Sequence, residues 1–67
     1  MNFANNLKNL RTEREMTQAD LAQALSTTEK TISHWETGYS EPSISQLVTI
    51  ADYFDVSLDE LVGRDFN

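Results

Sequence analysis

Residues Thr17–Gly38 read TQADLAQALSTTEKTISHWETG. Thr17 is a residue type that caps helix N-termini, and Asp20 follows three positions later in a loose version of the capping box. Ala19, Ala22 and Leu25 come next at helical spacing, with Leu21 beside them. Ser26-Thr27-Thr28 interrupts the pattern. Ile32 and Trp35 resume it, with Thr28 as the next cap and Gly38 as a C-terminal stop. The spacing predicts two short amphipathic helices joined by a few small polar residues. The second carries few side chains that a core needs and many that form hydrogen bonds.

Working outward, three more helices are predicted and no strand. The first runs from about Asn2 to Glu13 on a stripe of Phe3, Leu7 and Leu10, with Met16 covering the core in the turn that follows. Tyr39-Ser40-Glu41-Pro42 reads as a loop, and proline fits the first turn of the next helix. Ser43 and Gln46 form a capping box there, ahead of a stripe of Ile44, Leu47, Ile50, Ala51 and Phe54, with Val48 on the flank. Ser57 and Glu60 form the strongest capping box of the set. They open a short helix, about 57–63, that carries Leu58, Leu61 and Val62 and stops at Gly63. The expected fold is all-α: one domain over 1–67, a compact bundle of five short helices with tight loops. Asp65-Phe66-Asn67 is expected to be loose. Local contacts dominate such a fold, so folding should be fast.

Sixty-seven residues allow one small core, which by itself supplies only about 3–5 kcal/mol of net stability. With no cysteine and one histidine, neither a disulfide nor a structural zinc is expected. No cofactor is implied. No apolar run approaches the roughly 20 residues of a bilayer span. The opening MNFANNLKNL has no unbroken apolar stretch, so no signal peptide is expected. These features fit the cytoplasm. Nothing pairs a nucleophile with a base, so no enzyme is expected. The acids Asp52, Asp55, Asp59 and Glu60 lack the spacing and glycine turn of a calcium loop, and read as caps and a solvated face.

The net charge is −6, unevenly distributed. Residues 1–16 carry Lys8, Arg11 and Arg14 against Glu13 and Glu15, a balance of +1. Residues 17–40 carry Lys30 against Asp20, Glu29 and Glu36, a balance of −2. Residues 41–67 carry Arg64 against six acids, a balance of −5. Most of the acid is therefore downstream of the central helix pair.

In this order and spacing the chain resembles the Cro/repressor-type helix-turn-helix domain, the lambda-repressor-like fold of the XRE family. The resemblance covers about Leu7 to Gly63. It rests on Leu10-Arg11, Met16-Thr17-Gln18, Leu21-Ala22, Thr31-Ile32-Ser33, Trp35-Glu36 and Gly38. Glu41-Pro42-Ser43, Leu47, Ala51 and Val56-Ser57-Leu58-Asp59-Glu60-Leu61 complete it. The resemblance implies a regulator that binds double-stranded operator DNA, usually as a dimer. It implies that Gln18 braces the recognition helix and touches a phosphate. Thr28, Thr37, Tyr39 and Ser40 fall at phosphate positions. Glu29, Lys30, Thr31, Ser33 and His34 fall on the stretch that faces the major groove. Arg11 and Glu36 resemble a family salt bridge between the first and third helices. Two positions depart from the pattern. Tyr39-Ser40-Glu41 stands where a lysine or arginine is common, and Ser26 stands at a turn position often held by glycine.

On a helical wheel, Thr28, Ile32, Trp35 and Glu36 share one side, and Lys30, Ser33, His34 and Thr37 the other. Composition alone favours an ordinary solvated face; the resemblance reverses that preference. Lys30 can donate to guanine O6 and N7, and Glu29 can accept from cytosine N4. A solvated lysine and a dipole-favouring acid are the plainer alternatives. His34 can donate to guanine or phosphate, or stand as a surface histidine with no task. Trp35 reads as a core anchor. Arg11 and Glu36 lie on core-facing edges and read as a largely buried pair, whereas Lys8 and Arg14 read as exposed.

The resulting expectation is a sequence-specific DNA-binding regulator, a repressor, acting as a homodimer on a two-fold operator. Leu58, Leu61, Val62 and Phe66 form the expected dimer contact. No small-molecule inducer and no membrane partner is indicated. The alternatives are a protein-interaction module with this fold and weak or no DNA binding, or an antitoxin-type partner.

Overall fold

In the computed structural model, which describes residues 2–63, five segments take helical form: α1 Phe3–Glu13, α2 Gln18–Ala24, α3 Glu29–Thr37, α4 Ile44–Phe54 and α5 Leu58–Val62. The described residues contain no strand. Every helix sends apolar side chains into one core. Leu7 comes from α1, Leu21 and Ala22 from α2, Ile32 and Trp35 from α3, Ile50, Ala51 and Phe54 from α4, and Leu61 from α5. Phe3, Leu10, Met16, Leu25, Leu47 and Val56 pack around that centre. The expected all-α bundle of five short helices is therefore the observed architecture of the described residues.

Side-chain caps start four of the helices. Thr17 Oγ1 accepts from Asp20 N at 3.0 Å and Asp20 Oδ2 accepts from Thr17 N at 2.9 Å, so the loose-looking box closes in both directions. Ser43 and Gln46 do the same at 3.1 and 2.7 Å. Thr28 Oγ1 accepts from Thr31 N at 3.2 Å. The Ser57 box, expected to be the strongest, closes on one side only. Ser57 Oγ accepts from Glu60 N at 3.0 Å, but the Glu60 carboxylate meets the Ser57 hydroxyl at 3.3 Å rather than the backbone.

The helix ends share one device. At the ends of α1 to α4 a residue just past the helix donates back five positions: Met16 N to Arg11 O, Thr27 N to Ala22 O, Tyr39 N to His34 O and Val56 N to Ala51 O, all at 2.9–3.1 Å. This Schellman geometry needs a left-handed residue just before the donor. Gly38 supplies it at φ 79°, but Glu15, Ser26 and Asp55 take it at φ 56° without being glycine. Ser26 thus occupies the glycine-like turn position that the resemblance marked.

Several expectations are corrected. Ile44 is 79 % exposed, because the buried row of α4 runs through Leu47, Ile50, Ala51 and Phe54 and turns it to the edge, while Val48, expected on the flank, is 41 % exposed there. Ala19 faces solvent for the same reason on α2. Pro42 lies outside α4, since Ser43 takes the cap. Leu61 is fully buried and has no surface to offer a dimer partner. Leu58 is 43 % exposed and Val62 half-buried, while Phe66 lies outside the described residues. Arg14 is more than a solvated charge. Its Nη2 donates to Phe54 O at 2.9 Å and its guanidinium lies 5.0 Å from the Phe54 ring centre, so it covers the C-terminal carbonyls of α4.

The left-handed positions give a graded prediction. Glu15→Gly should stabilise the domain by about 1 kcal/mol, a rise of about 4–8 °C in Tm. Asp55→Gly should gain less, since a short polar side chain tolerates this conformation. Thermal melts that fall for both variants would show that neither position is strained.

Candidate nucleic-acid interface

The placement of α3 is fixed by one carboxylate. Arg11 Nε donates to Glu36 Oε2 at 2.7 Å and Nη2 donates to Oε1 at 3.0 Å, a two-pronged pair that only a guanidinium makes. Gln18 Nε2 donates to the same Oε1 at 3.2 Å. The remaining arm of Arg11 donates to Met16 O at 2.7 Å. Glu36 therefore joins α1, α2 and α3. The Arg11 and Glu36 side chains are only 11 % and 3 % exposed. The hydrogen bond to Glu36, aided by its charge, raises the Arg11 pKa above its ordinary value against the opposing pull of burial.

With Ile32 and Trp35 turned into the core, the opposite side of α3 faces out. Glu29 and Lys30 are exposed on its first turn. Lys30, His34 and Thr37 follow one another at i, i+4 and i+7 and so form a single row. His34 is half-buried; its ring centre lies 4.6 Å from that of Tyr39, which is itself 78 % exposed. Tyr39 and Ser40 are held in the loop by backbone N–H bonds to His34 O at 3.0 and 3.3 Å. The row thus continues past the helix end onto an exposed phenol and hydroxyl. These groups offer a cation, an imidazole, hydroxyls and a phenol along one edge, a set suited to base edges and phosphate oxygens.

Some of the expected site residues are already engaged. The Thr31 hydroxyl shares a 2.9 Å hydrogen bond with Thr28 Oγ1, so both serve the start of the helix. Thr37 Oγ1 donates to His34 O at 3.3 Å, which leaves its lone pairs outward. One amide hydrogen of Gln18 is held by Glu36 and the other is left for a ligand. Ser33 is half-buried on the flank of the row. Among the described residues no group of His, Cys, Asp and Glu is arranged to hold a metal ion.

Sequence reasoning missed Asn6. Its Nδ2 donates to Glu60 O and Leu61 O, both at 3.2 Å, and ties α1 to α5 across the chain. Asn2 N adds a bond to Val62 O at 2.8 Å. The only sequence signal was an asparagine inside a helix, where its propensity is poor.

A family model described as helix-turn-helix matches residues 7–61. The HTH-type transcriptional activator BcrR of Enterococcus faecalis is 39 % identical over 65 residues, which cover 97 % of this chain and 32 % of that protein. The cryptic phage CTXphi transcriptional repressor RstR of Vibrio cholerae is 34 % identical over 64 residues, 96 % of this chain and 57 % of that one. A crystal structure of a transcriptional regulator from Listeria innocua matches with a TM-score of 0.90 at 34 % identity, over 97 % of this chain and 61 % of that chain. This chain therefore spans between about a third and three-fifths of the length of these similar proteins. All three are named as regulators of transcription.

Two measurements follow from the geometry. Arg11→Ala and Glu36→Ala should each cost about 3–5 kcal/mol, enough to leave much of the protein unfolded at 25 °C, because each strands a buried charge. Lys8→Ala should leave the melt nearly unchanged; equal small shifts in all three would show a solvated pair. The second concerns acid. Asp20 is held below its ordinary carboxylate range, first by the Thr17 N–H and then by the Thr17 side chain. Its contribution is complete above the unfolded value of about 3.9 and is lost as pH falls through the lower folded value. The stability advantage of the native chain over Asp20→Asn should therefore be present at pH 7 and shrink below about pH 4. An advantage that is constant with pH would show that the carboxylate charge plays no part.

Proposed function

Because this chain belongs to the helix-turn-helix family, we propose that it is a sequence-specific DNA-binding regulator of transcription that lays α3 in the major groove of an operator. The observation that carries this reading is the outward row of Lys30, His34 and Thr37, continued by Tyr39 and Ser40, on a helix whose inner face is locked by Glu36. Lys30 and Glu29 sit at the N-terminal end of α3, which approaches base edges most closely in this docking mode. Lys30 reads guanine, and His34, Thr31 and Ser33 supply adjacent donors and acceptors. Gln18, Thr28, Tyr39 and Ser40 line the phosphates on either side, and Thr37 joins them when its hydroxyl turns from the His34 carbonyl to donate outward.

The protein acts as a repressor, the role named for the phage relative, and occupies a two-fold operator as a homodimer. One recognition helix spans few base pairs, so two copies about 34 Å apart give the site useful length. Leu58 on α5 is the apolar side chain of the expected contact that lies open, and Ile44 and Val48 on α4 add exposed apolar surface. The proposed action on DNA is an activity of the cytoplasm. The net charge of −6 favours a second reading, a helix-turn-helix module that binds a protein partner instead. Gel shifts at low salt on duplexes selected from a random pool separate the two.

On a selected operator, Lys30→Ala should cost about 1–3 kcal/mol and relax preference at one base pair. Unchanged affinity would remove Lys30 from the readout. Leu58→Glu should abolish cooperative filling of paired half-sites without lowering helicity; intact cooperativity would exclude this face from the dimer. The affinity should fall only gently with salt, at roughly 0.9 log units per log unit for each ion-paired phosphate. A steep slope would mean that other cations touch the backbone.

A further inference from the structure

Two aromatic side chains meet at the outer edge of α3. The ring centres of His34 and Tyr39 lie 4.6 Å apart, with their planes tilted at 47°. His34 is half-buried, whereas Tyr39 stands far out into solvent. Burial does not hold Tyr39 there; the backbone does. Gly38 takes a left-handed conformation at φ 79° and turns the chain back along α3. Tyr39 N and Ser40 N then donate to His34 O at 3.0 and 3.3 Å, and Thr37 Oγ1 donates to the same oxygen at 3.3 Å. Tyr39 is thus tethered to the residue whose ring it touches. The contact closes within the end of α3 and its cap and draws on no other helix.

The tether bears on how His34 is presented. These bonds use the His34 backbone and leave both ring nitrogens to a ligand. The first side-chain torsion of a helical residue has few wells, but the torsion that sets a histidine ring plane is broad. A histidine on an open helix face therefore swings its nitrogens through a wide arc. Hydrogen bonds to base edges depend on direction, so a swinging imidazole discriminates poorly between bases. A phenol ring packed at an angle against the imidazole narrows that arc. The two parts of Tyr39 then have separate tasks. Its hydroxyl suits a phosphate, a contact that carries no sequence information. Its ring is what touches His34.

We propose that the Tyr39 ring is a positioning element for His34 and, through it, sets the preference for the base pair that His34 reads. This inference rests on the DNA-binding reading above. Tyr39 acts on specificity through its ring and on affinity through its hydroxyl.

The test uses the full chain and duplexes that the native protein selects from a random pool. Competition by every single-base-pair change gives the preference at each position. His34→Ala first locates the pair that His34 reads, as the position where preference is lost. Tyr39→Ala should relax preference at that same pair by roughly two- to tenfold and leave the other positions unchanged. Tyr39→Phe should keep the preference there while weakening binding to all duplexes alike. In the His34→Ala background, Tyr39→Ala should cost no further discrimination. Helical circular dichroism should match the native protein throughout, since the exposed Tyr39 has no part in the core. A Tyr39→Ala protein that binds every duplex more weakly but keeps its preferences would overturn the proposal, because Tyr39 would then act on phosphate alone. Relaxed preference in Tyr39→Phe would overturn it by assigning the effect to the hydroxyl. Unchanged preferences in His34→Ala would do so by removing His34 from the readout. A native protein that selects no duplex would instead defeat the DNA-binding reading itself, and the inference with it, before any variant is compared.

Discussion

The arrangement of the helices depends on the carboxylate of Glu36. It accepts two hydrogen bonds from Arg11 and one from Gln18, so a single group near the end of α3 is held by α1 and by the start of α2. Apolar packing of Ile32 and Trp35 fixes which side of α3 faces inward, but hydrophobic contact is non-directional. A planar guanidinium on a carboxylate adds direction. Within the side that apolar packing selects, that pair sharpens the rotation of α3 about its own axis, and hence the angle at which its outer side chains are presented. Burial makes the arrangement costly to break and gives it the character of a lock.

The same pair bears on the charge balance. The sequence holds five basic residues, Lys8, Arg11, Arg14, Lys30 and Arg64. Arg11 is absorbed by Glu36 and Met16, and Arg14 by the carbonyl end of α4. Two cations that count toward a basic surface in the composition are thus structural. What α3 turns outward is mainly hydrogen-bonding capacity with one lysine, a balance that favours discrimination between partners over general attraction to polyanions.

Much of this was legible in the sequence. The periodicity of Leu21, Ala22 and Leu25, then Ile32 and Trp35, bounded by Thr17, Thr28 and Gly38, set out α2 and α3. Caps are local chemistry between residues three apart, which is why Thr17–Asp20 and Ser43–Gln46 could be read directly. What could not be read depends on where helices end against one another. Ile44 has the spacing of a core residue, yet its turn of α4 lies at the edge of the buried row. Arg14 and Asn6 bond to carbonyls forty or more residues away, and no local pattern announces such a partner. The left-handed conformations of Glu15 and Asp55 are equally silent, because the geometry is imposed by the turn and not by the residue type. In the candidate interface, the row of outward residues followed from the wheel. The engagement of Thr31 with Thr28, and the tilted ring contact of His34 with Tyr39, needed coordinates.

The bond from Asn2 N to Val62 O, with Asn6 reaching Glu60 and Leu61, brings the two ends of the described chain to one corner. In mechanical terms the domain hangs from a single point. Tension applied between its ends loads the α1–α5 seam and bypasses the α2–α3 pair. A neighbour attached at either end could tug or swivel at that corner while the outward face of α3 keeps its shape.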